Sequence, residues 1–521
     1  MLQGQLFVWK ATGKVDKGPT MLRQESARPA LRVLLLNPPF LPRFSRPQRS
    51  PAVTRSGTLY LPLWLASCGA VLEEAGHEVL FLDAPAEGLD LERTLARATG
   101  FAPDLAVLDT STPSIAADLD AARTIKARLP GCYVVLVGPH ASARPDDCLA
   151  APAGPDAVAR REYDYTVRDL ARVLAASDGA PAAGALAGIA GLSWREGEAV
   201  RHNPDRPFLD DLDALPFVSR FYRRHLDIRR YFNPNAAYPM VTLVTSRGCP
   251  GGCTFCLYPQ TMTGHRLRKR SVDNVLEEIT TVLADFPEAR SIFFEDDTLT
   301  ADLDRCLALC DGIRTRGLRF TWTANARADL PGAVMRRLRE AGCRLLCVGF
   351  ESADAGVLRT IRKGLAPGAA RRFMRDARAC GLRIHGCWMF GLPGDTRESI
   401  LRSIDLACSL GTDTAQFYPV IPYPGTAIHA EYLSRGWLDP TTPARWLTPA
   451  GNHACVAGNE TLSPTAIEAL CALARRRFYL RPGYLAHRLA AAMTSPDELR
   501  RTFRAGRRFI RHLLPGAMAR S

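Results

Sequence analysis

Apolar residues along this chain fall in short unbroken runs, each followed by a stretch with helical spacing. Leu31-Arg32-Val33-Leu34-Leu35-Leu36-Asn37 is apolar at successive positions, as in a strand buried on both faces of a parallel sheet. Pro38-Pro39 ends it. Trp64 to Ala75 has helical periodicity and closes at Gly76, and His77 to Leu82, Leu105 to Leu108 and Val134 to Val137 read as further strands. Polar turns follow the last two, Asp109-Thr110-Ser111-Thr112-Pro113-Ser114 and Gly138-Pro139-His140-Ala141-Ser142. Alternation over 31–172 predicts an α/β domain of Rossmann-like, flavodoxin-like type, in which such loops at strand carboxyl ends form the ligand crevice. Residues 173–239 read as a linker, Ala/Gly-rich at first and then hairpin-like from Leu192 to Glu198.

The alternation returns over 240–430, with candidate strands at 240–245, 291–295, 319–324, 344–350, 383–390 and 414–420. Six such units predict a partial (β/α)6 TIM-like barrel, whose chemistry belongs at the C-terminal ends of its strands. Residues 1–30 read as a flexible leader without a secretory pattern, and 431–521 as a helical C-terminal region.

Composition narrows the classes. A length of 521 residues allows two or three domains, and 47% hydrophobic with 23% charged residues describes a globular chain. No apolar run approaches the roughly 18 residues of a membrane span. Fifteen cysteines without an export signal imply a reducing, cytoplasmic setting, with thiols in cores or on metal. The net charge of +14 is concentrated at the end, where residues 471–521 carry twelve Arg against Asp497 and Glu498. No nucleic-acid-binding motif accompanies that charge, so no nucleic-acid partner is expected. Basic amphipathic helices there can lie on an anionic membrane face or pack against the barrel.

The chemistry-bearing segment is Ser246-Arg247-Gly248-Cys249-Pro250-Gly251-Gly252-Cys253-Thr254-Phe255-Cys256, directly after the first barrel strand. Its Cys-x3-Cys-x2-Cys spacing puts three thiolates on one tight loop, enough for three irons of a [4Fe–4S] cluster that otherwise takes four cysteines. A structural zinc site would need a fourth ligand, usually in a second knuckle, and no such knuckle follows. Polar residues also cluster after the later strands. Glu295-Asp296-Asp297 offers carboxylates to a cationic amine, or caps the next helix through Asp297 or Thr300. Asn325 and Arg327 follow the third strand, and Glu351, in Gly349-Phe350-Glu351-Ser352, follows the fourth.

The cysteine loop resembles that of radical SAM enzymes. With Gly-Phe-Glu-Ser, Gly391-Leu392-Pro393-Gly394 and Pro422-Tyr423-Pro424-Gly425-Thr426, the resemblance covers about 31–430. The phrases Asn37-Pro38-Pro39, Gly138-Pro139-His140 and Arg161-Glu162-Tyr163-Asp164 are similar to the N-terminal domain of the cobalamin-dependent members, which usually have glycine in place of Arg161. The resemblance implies three cofactors: a [4Fe–4S] cluster on Cys249, Cys253 and Cys256, S-adenosylmethionine chelated at the open iron, and cobalamin. It implies S-adenosylmethionine contacts from Phe255, Glu295, Asp297, Asn325, Arg327, Glu351 and Gly391. Cobalamin contacts would come from Thr110, Ser111, Gly138 and His140. No histidine sits in the Asp-x-His-x-x-Gly context that supplies a lower cobalt ligand, so His140 is expected to line the nucleotide tail.

The reaction implied is methyl transfer to an unactivated carbon of a small molecule, with a flavodoxin- or ferredoxin-type protein as electron donor. Radical rearrangement or oxidative cyclisation on the same cofactors is the alternative. A cobalamin-binding sensor is a second one, against which the intact cysteine triad counts.

Overall fold

The protein is described here from a computed structural model covering residues 30–150, 153–177, 179, 181–439, 445–486 and 490. The first sheet contains β1 (Arg32–Asn37), β2 (Glu78–Asp83), β3 (Leu105–Asp109), β4 (Tyr133–Val137), β5 (Ala157–Ala159), β6 (Leu192–Glu196) and β7 (Ala199–His202). Its order is β2-β1-β3-β4-β5-β6-β7. The first five strands are parallel, in the flavodoxin-like 2-1-3-4-5 order. Alternate residues bury on opposite faces. Leu34, Leu36, Leu108 and Leu136 meet Leu95, Ala122 and Ile125, while Val33, Leu35, Val107 and Val135 meet Leu65, Leu72 and Leu170. Helices on both faces are why these strands are apolar throughout.

The hairpin β6–β7 is not a free linker element. It extends this sheet antiparallel, with Trp194 opposite Ala157. Segment 173–239 therefore supplies the sheet's far edge before its helix Val218–His225 packs Phe221 under Gly69 of the helix Leu63–Glu74.

A small pair follows, β9 (Ser246–Arg247) with β10 (Arg268–Lys269), just after β8 (Met240–Leu243). The second sheet joins β8 to β11 (Ser291–Phe294), β12 (Thr321–Ala326), β13 (Cys343–Glu351), β14 (Arg383–Phe390) and β15 (Thr414–Pro419). All six run parallel in the order β15-β14-β13-β12-β11-β8, so the barrel is open between β8 and β15. Each expected barrel strand is present. The exposed edge of β15 is covered by the helix Pro464–Tyr479: the Tyr479 hydroxyl pairs with the amide and carbonyl of Ala415, and Arg475 donates to the Phe417 carbonyl at 2.9 Å. The described part of the basic C-terminal region thus packs on the barrel, and the rest of it, 487–489 and 491–521, lies outside the described residues. Among the described residues no helix is long and apolar enough to cross a membrane.

The two sheets are joined by buried charge. Arg247 donates to Asp164 at 2.7 Å and to Ser67 at 3.0 Å, and Arg268 grips both oxygens of Glu162 at 2.6 and 2.7 Å. Glu162 and Asp164 belong to the phrase that begins with Arg161. That residue has φ 60°, a left-handed conformation that favours glycine, and its guanidinium pairs with Asp205.

Candidate active site

The cysteine loop opens where the first barrel strand ends. Cys249, Cys253 and Cys256 are each half-buried, flanked by exposed Pro250 and Gly252. The Gly251 amide donates to Cys249 Sγ at 3.4 Å, and Thr298 Oγ1 lies 3.7 Å from the same sulfur. Among the described residues no three His, Cys, Asp or Glu side chains converge closely enough to hold a single metal ion. Three thiols on one loop fit a cluster, in which each sulfur binds a different iron. Phe255 packs against a small apolar cluster with Val357, Ile361 and Leu392, and Lys363 Nζ lies 5.9 Å from its ring centre.

The acidic triplet divides its work. Asp296 is fully buried and accepts from the Thr245 amide and hydroxyl and from Ser246, so it fixes the start of the cysteine loop. The next helix is capped by Asp302, which accepts from the Arg305 amide at 3.0 Å, so Asp297 is not used as a cap. Glu295 and Asp297 instead face Arg49, which reaches in from the segment between β1 and the helix Leu63–Glu74. Its guanidinium pairs with Glu295 Oε1, lies 3.3 Å from Asp297, and donates to the carbonyls of Glu295 and Asp296 at 2.9 and 3.0 Å. Burial pushes the Glu295 carboxyl up, and Arg49 opposes that shift.

Glu351 ends β13 with φ 62° and accepts from Lys363 Nζ at 2.8 Å. The pair lies against Gly349, where a Cβ would stand 2.1 Å from Glu351 Oε1. Burial disfavours the Lys363 ammonium, yet Glu351 outweighs it and holds the group above the ordinary lysine range. Asn325 donates to the Asp296 carbonyl at 3.0 Å, and Arg327 pairs with Asp329 while donating to the carbonyls of Lys363 and Gly364. Gly391, with φ 84°, meets the Ile467 side chain of the C-terminal helix, within 2.6 Å of where a Cβ would be. The close approach at this glycine is therefore to protein. Two oxygens remain: Glu295 Oε2 and Glu351 Oε2 are the only carboxylate atoms, among the described residues, that are buried without a hydrogen-bond partner. Buried acceptors left open in this way fit a ligand that brings an ammonium and hydroxyls, as S-adenosylmethionine does.

The corresponding edge of the first sheet is closed on itself. Thr110 donates to the Val137 carbonyl at 2.7 Å, Ser111 Oγ meets Ser114 Oγ at 2.7 Å, and Gly138 opens the helix Pro139–Ala143 against the Thr110 carbonyl. His140 is buried with Nδ1 3.0 Å from Thr112 Oγ1, and burial brings its pKa down to about 4. It is a neutral side chain held inside the domain. Small residues at both loop tips fit the tail of a nucleotide-bearing cofactor.

Pattern reasoning did not find the residues between β1 and the first helix. Arg46 is buried on Asp118 and Asn37, Tyr258 donates to the Pro47 carbonyl, and Ser50 meets Tyr423 and His453. The only local signal is the Pro- and Arg-rich phrase Arg46-Pro47-Gln48-Arg49-Ser50-Pro51, which reads as a loop.

Comparison with known proteins bears on both sheets of the chain. Residues 243–407 match the model of the radical SAM superfamily, and residues 49–171 that of the B12 binding domain. An uncharacterized methyltransferase of Pyrococcus horikoshii is 32% identical over 71% of this chain and 78% of that protein. Cytidylyl-2-hydroxyethylphosphonate methyltransferase of Streptomyces wedmorensis is 26% identical over 73% and 79%. The radical S-adenosylmethionine methyltransferase TsrM of Kitasatospora setae, solved with cobalamin and a [4Fe–4S] cluster, shares the fold with TM-score 0.63 at 17% identity, over 87% of this chain and 90% of that one. The chain belongs to the radical SAM family with a B12-binding domain. Its cofactors are accordingly a [4Fe–4S] cluster, S-adenosylmethionine and cobalamin.

Proposed function

We propose that this protein is a cobalamin-dependent radical SAM methyltransferase that adds a methyl group to an unactivated carbon of a small molecule. The observation that carries it is the meeting of three features at one mouth: an open cysteine loop, two unpartnered buried carboxylate oxygens, and a B12-binding domain held against them by the Arg247–Asp164 and Arg268–Glu162 pairs. The relatives named above are methyltransferases, and TsrM has been solved with tryptophan as its substrate, which supports a small-molecule substrate.

When bound, the cluster with S-adenosylmethionine supplies radical chemistry and cobalamin a transferable methyl group. The protein's own part is positioning. Cys249, Cys253 and Cys256 hold the cluster and leave one iron without a protein ligand. Glu295 would accept the ligand's ammonium, with Asp297, held by Arg49 and Thr263, adding its charge alongside, and Glu351, fixed by Lys363, would accept hydroxyls. Segment 38–62 and the stretch 445–457 cover the mouth, with Val53 and Gly451 paired at 2.8 Å, and exclude water from reactive carbon. An external flavodoxin- or ferredoxin-type donor is part of this reading, supported by the exposed Gly252 beside half-buried Cys253. So is a cytoplasmic setting with the Arg-rich end of the chain resting on an anionic membrane, supported by its composition.

The test is anaerobic reconstitution with iron, sulfide and hydroxocobalamin, followed by turnover with S-adenosylmethionine and candidate small molecules. A methyltransferase releases both S-adenosylhomocysteine and 5′-deoxyadenosine, with label from the donor methyl in product. 5′-Deoxyadenosine without S-adenosylhomocysteine would replace methyl transfer by rearrangement or cyclisation.

A further inference from the structure

Four consecutive residues, Arg46-Pro47-Gln48-Arg49, touch three places that otherwise lie far apart in sequence. Arg46, with no exposed side-chain surface, is rooted at the carboxyl end of the first sheet. It pairs with Asp118 at 2.6 Å and donates to Asn37 Oδ1 at 2.8 Å and to the Pro38 carbonyl at 2.5 Å. The Pro47 carbonyl accepts from the Tyr258 hydroxyl at 2.7 Å, two residues beyond Cys256. Arg49 ends on Glu295 and Asp297 at the barrel mouth. The proline ring removes one backbone rotation between the two arginines, so a shift at one is passed to the other.

We infer that this stretch makes the binding of cobalamin and of S-adenosylmethionine mutually dependent, each strengthening the other, with Arg49 as the positioning residue on the barrel side. The inference rests on the two-cofactor reading above. Arg49 takes Oε1 of Glu295 and leaves Oε2 open, so it holds the carboxylate in one orientation with one acceptor presented. A ligand cation then meets an acceptor that is already oriented, and less of its binding energy is lost in ordering it. Asp118, the partner of Arg46, also accepts from the Ser111 amide at 3.3 Å and the Ser114 hydroxyl at 2.6 Å, so occupation of that loop bears on the Arg46 end and through it on Arg49 and Glu295. By thermodynamic linkage the strengthening must be the same factor in both directions.

The experiment uses the full, cluster-loaded chain under anaerobic conditions. S-adenosylmethionine is titrated by calorimetry with and without hydroxocobalamin, and hydroxocobalamin is titrated by its visible absorbance with and without S-adenosylmethionine. Both affinities should rise by one common factor of about five or more. Arg49→Gln should weaken S-adenosylmethionine binding and bring both factors to one, and Arg49→Lys should restore part of the coupling. Iron content and thermal melting report whether each variant is folded and loaded. Equal affinities with and without the second ligand in the wild-type chain would overturn the inference, as would an undiminished factor in Arg49→Gln. Failure of either ligand to bind even in the presence of the other would instead sink the two-cofactor reading.

Discussion

The two parallel sheets treat the carboxyl ends of their strands in opposite ways. At the first sheet, Asn37, Asp83, Asp109 and Asp118 gather around Arg46, with Asn37 donating to Asp83 at 2.8 Å and Tyr231 donating to Asp83 at 2.9 Å. Every carboxylate oxygen buried there has a partner, and Arg46 Nε is the one side-chain atom of the cluster, among the described residues, that is buried without one. At the barrel, the equivalent edge buries Glu295 and Glu351 with one oxygen of each unsatisfied, beside three half-buried free thiols. Polar groups that complete one another hold a fold together, whereas polar groups left incomplete mark where something else must bind. The lesson is that burial of charge alone does not locate chemistry; the state of its partners does.

Substitutions should separate the two edges, and the largest effect tests the barrel. Cys253→Ala should abolish turnover and reduce iron from about four per chain to a small fraction, with thermal melting shifted little. Loss of the fold along with the iron would break the distinction. Next comes Arg46→Ala at the first sheet, which leaves Asp118 buried and unpaired. A loss of about 3–5 kcal/mol in denaturant unfolding is expected, from the cost of stranding a buried charge. A smaller effect belongs to Glu351→Gln, which keeps an acceptor for Lys363 but removes the charge. S-adenosylmethionine affinity should fall about ten-fold, in line with roughly 1–3 kcal/mol for a charged hydrogen bond, with unfolding changed less than for Arg46→Ala.

The fourth way to separate the edges is a pH dependence. Burial raises the Asp109 carboxyl from the ordinary aspartate range to about 7, so the folded chain holds a proton that the unfolded chain has lost. The stability this group contributes is therefore full below about pH 4 and is lost as pH rises toward 7. Asp109→Asn removes that dependence. Its melting temperature should gain on the wild type between pH 4 and 7 and run parallel above it; a constant difference across the range would contradict the assignment.

How much of this was legible in sequence depends on separation along the chain. The strands and the cysteine loop are local patterns, and each expected barrel strand is present. The α/β class of the first domain followed from the same alternation, whereas the 2-1-3-4-5 order of its strands is seen only in the structure. Arg49 and Glu295, by contrast, are 246 residues apart, and nothing in a Pro- and Arg-rich loop phrase points across that distance. The hairpin at 192–202 read as linker because β7 is largely exposed and so lacks the apolar run of a buried strand. Gly391 read as a glycine beside a ligand, and its neighbour is Ile467, supplied by a helix that begins far downstream. Arg161 stood out as a departure from the usual glycine; only backbone geometry shows that it keeps the left-handed conformation while adding an ion pair with Asp205.

The pairing of segment 50–53 with residues 451–453 also bears on how the protein is made. Val53 and Ser50 find Gly451, Asn452 and His453 about 400 positions later, so a chain emerging N-terminus first carries an unanswered flap across most of its synthesis. Both sheets can form before the flap is fastened. Its fastening therefore waits for residues 451–453, roughly 200 positions after the cysteine loop has been made.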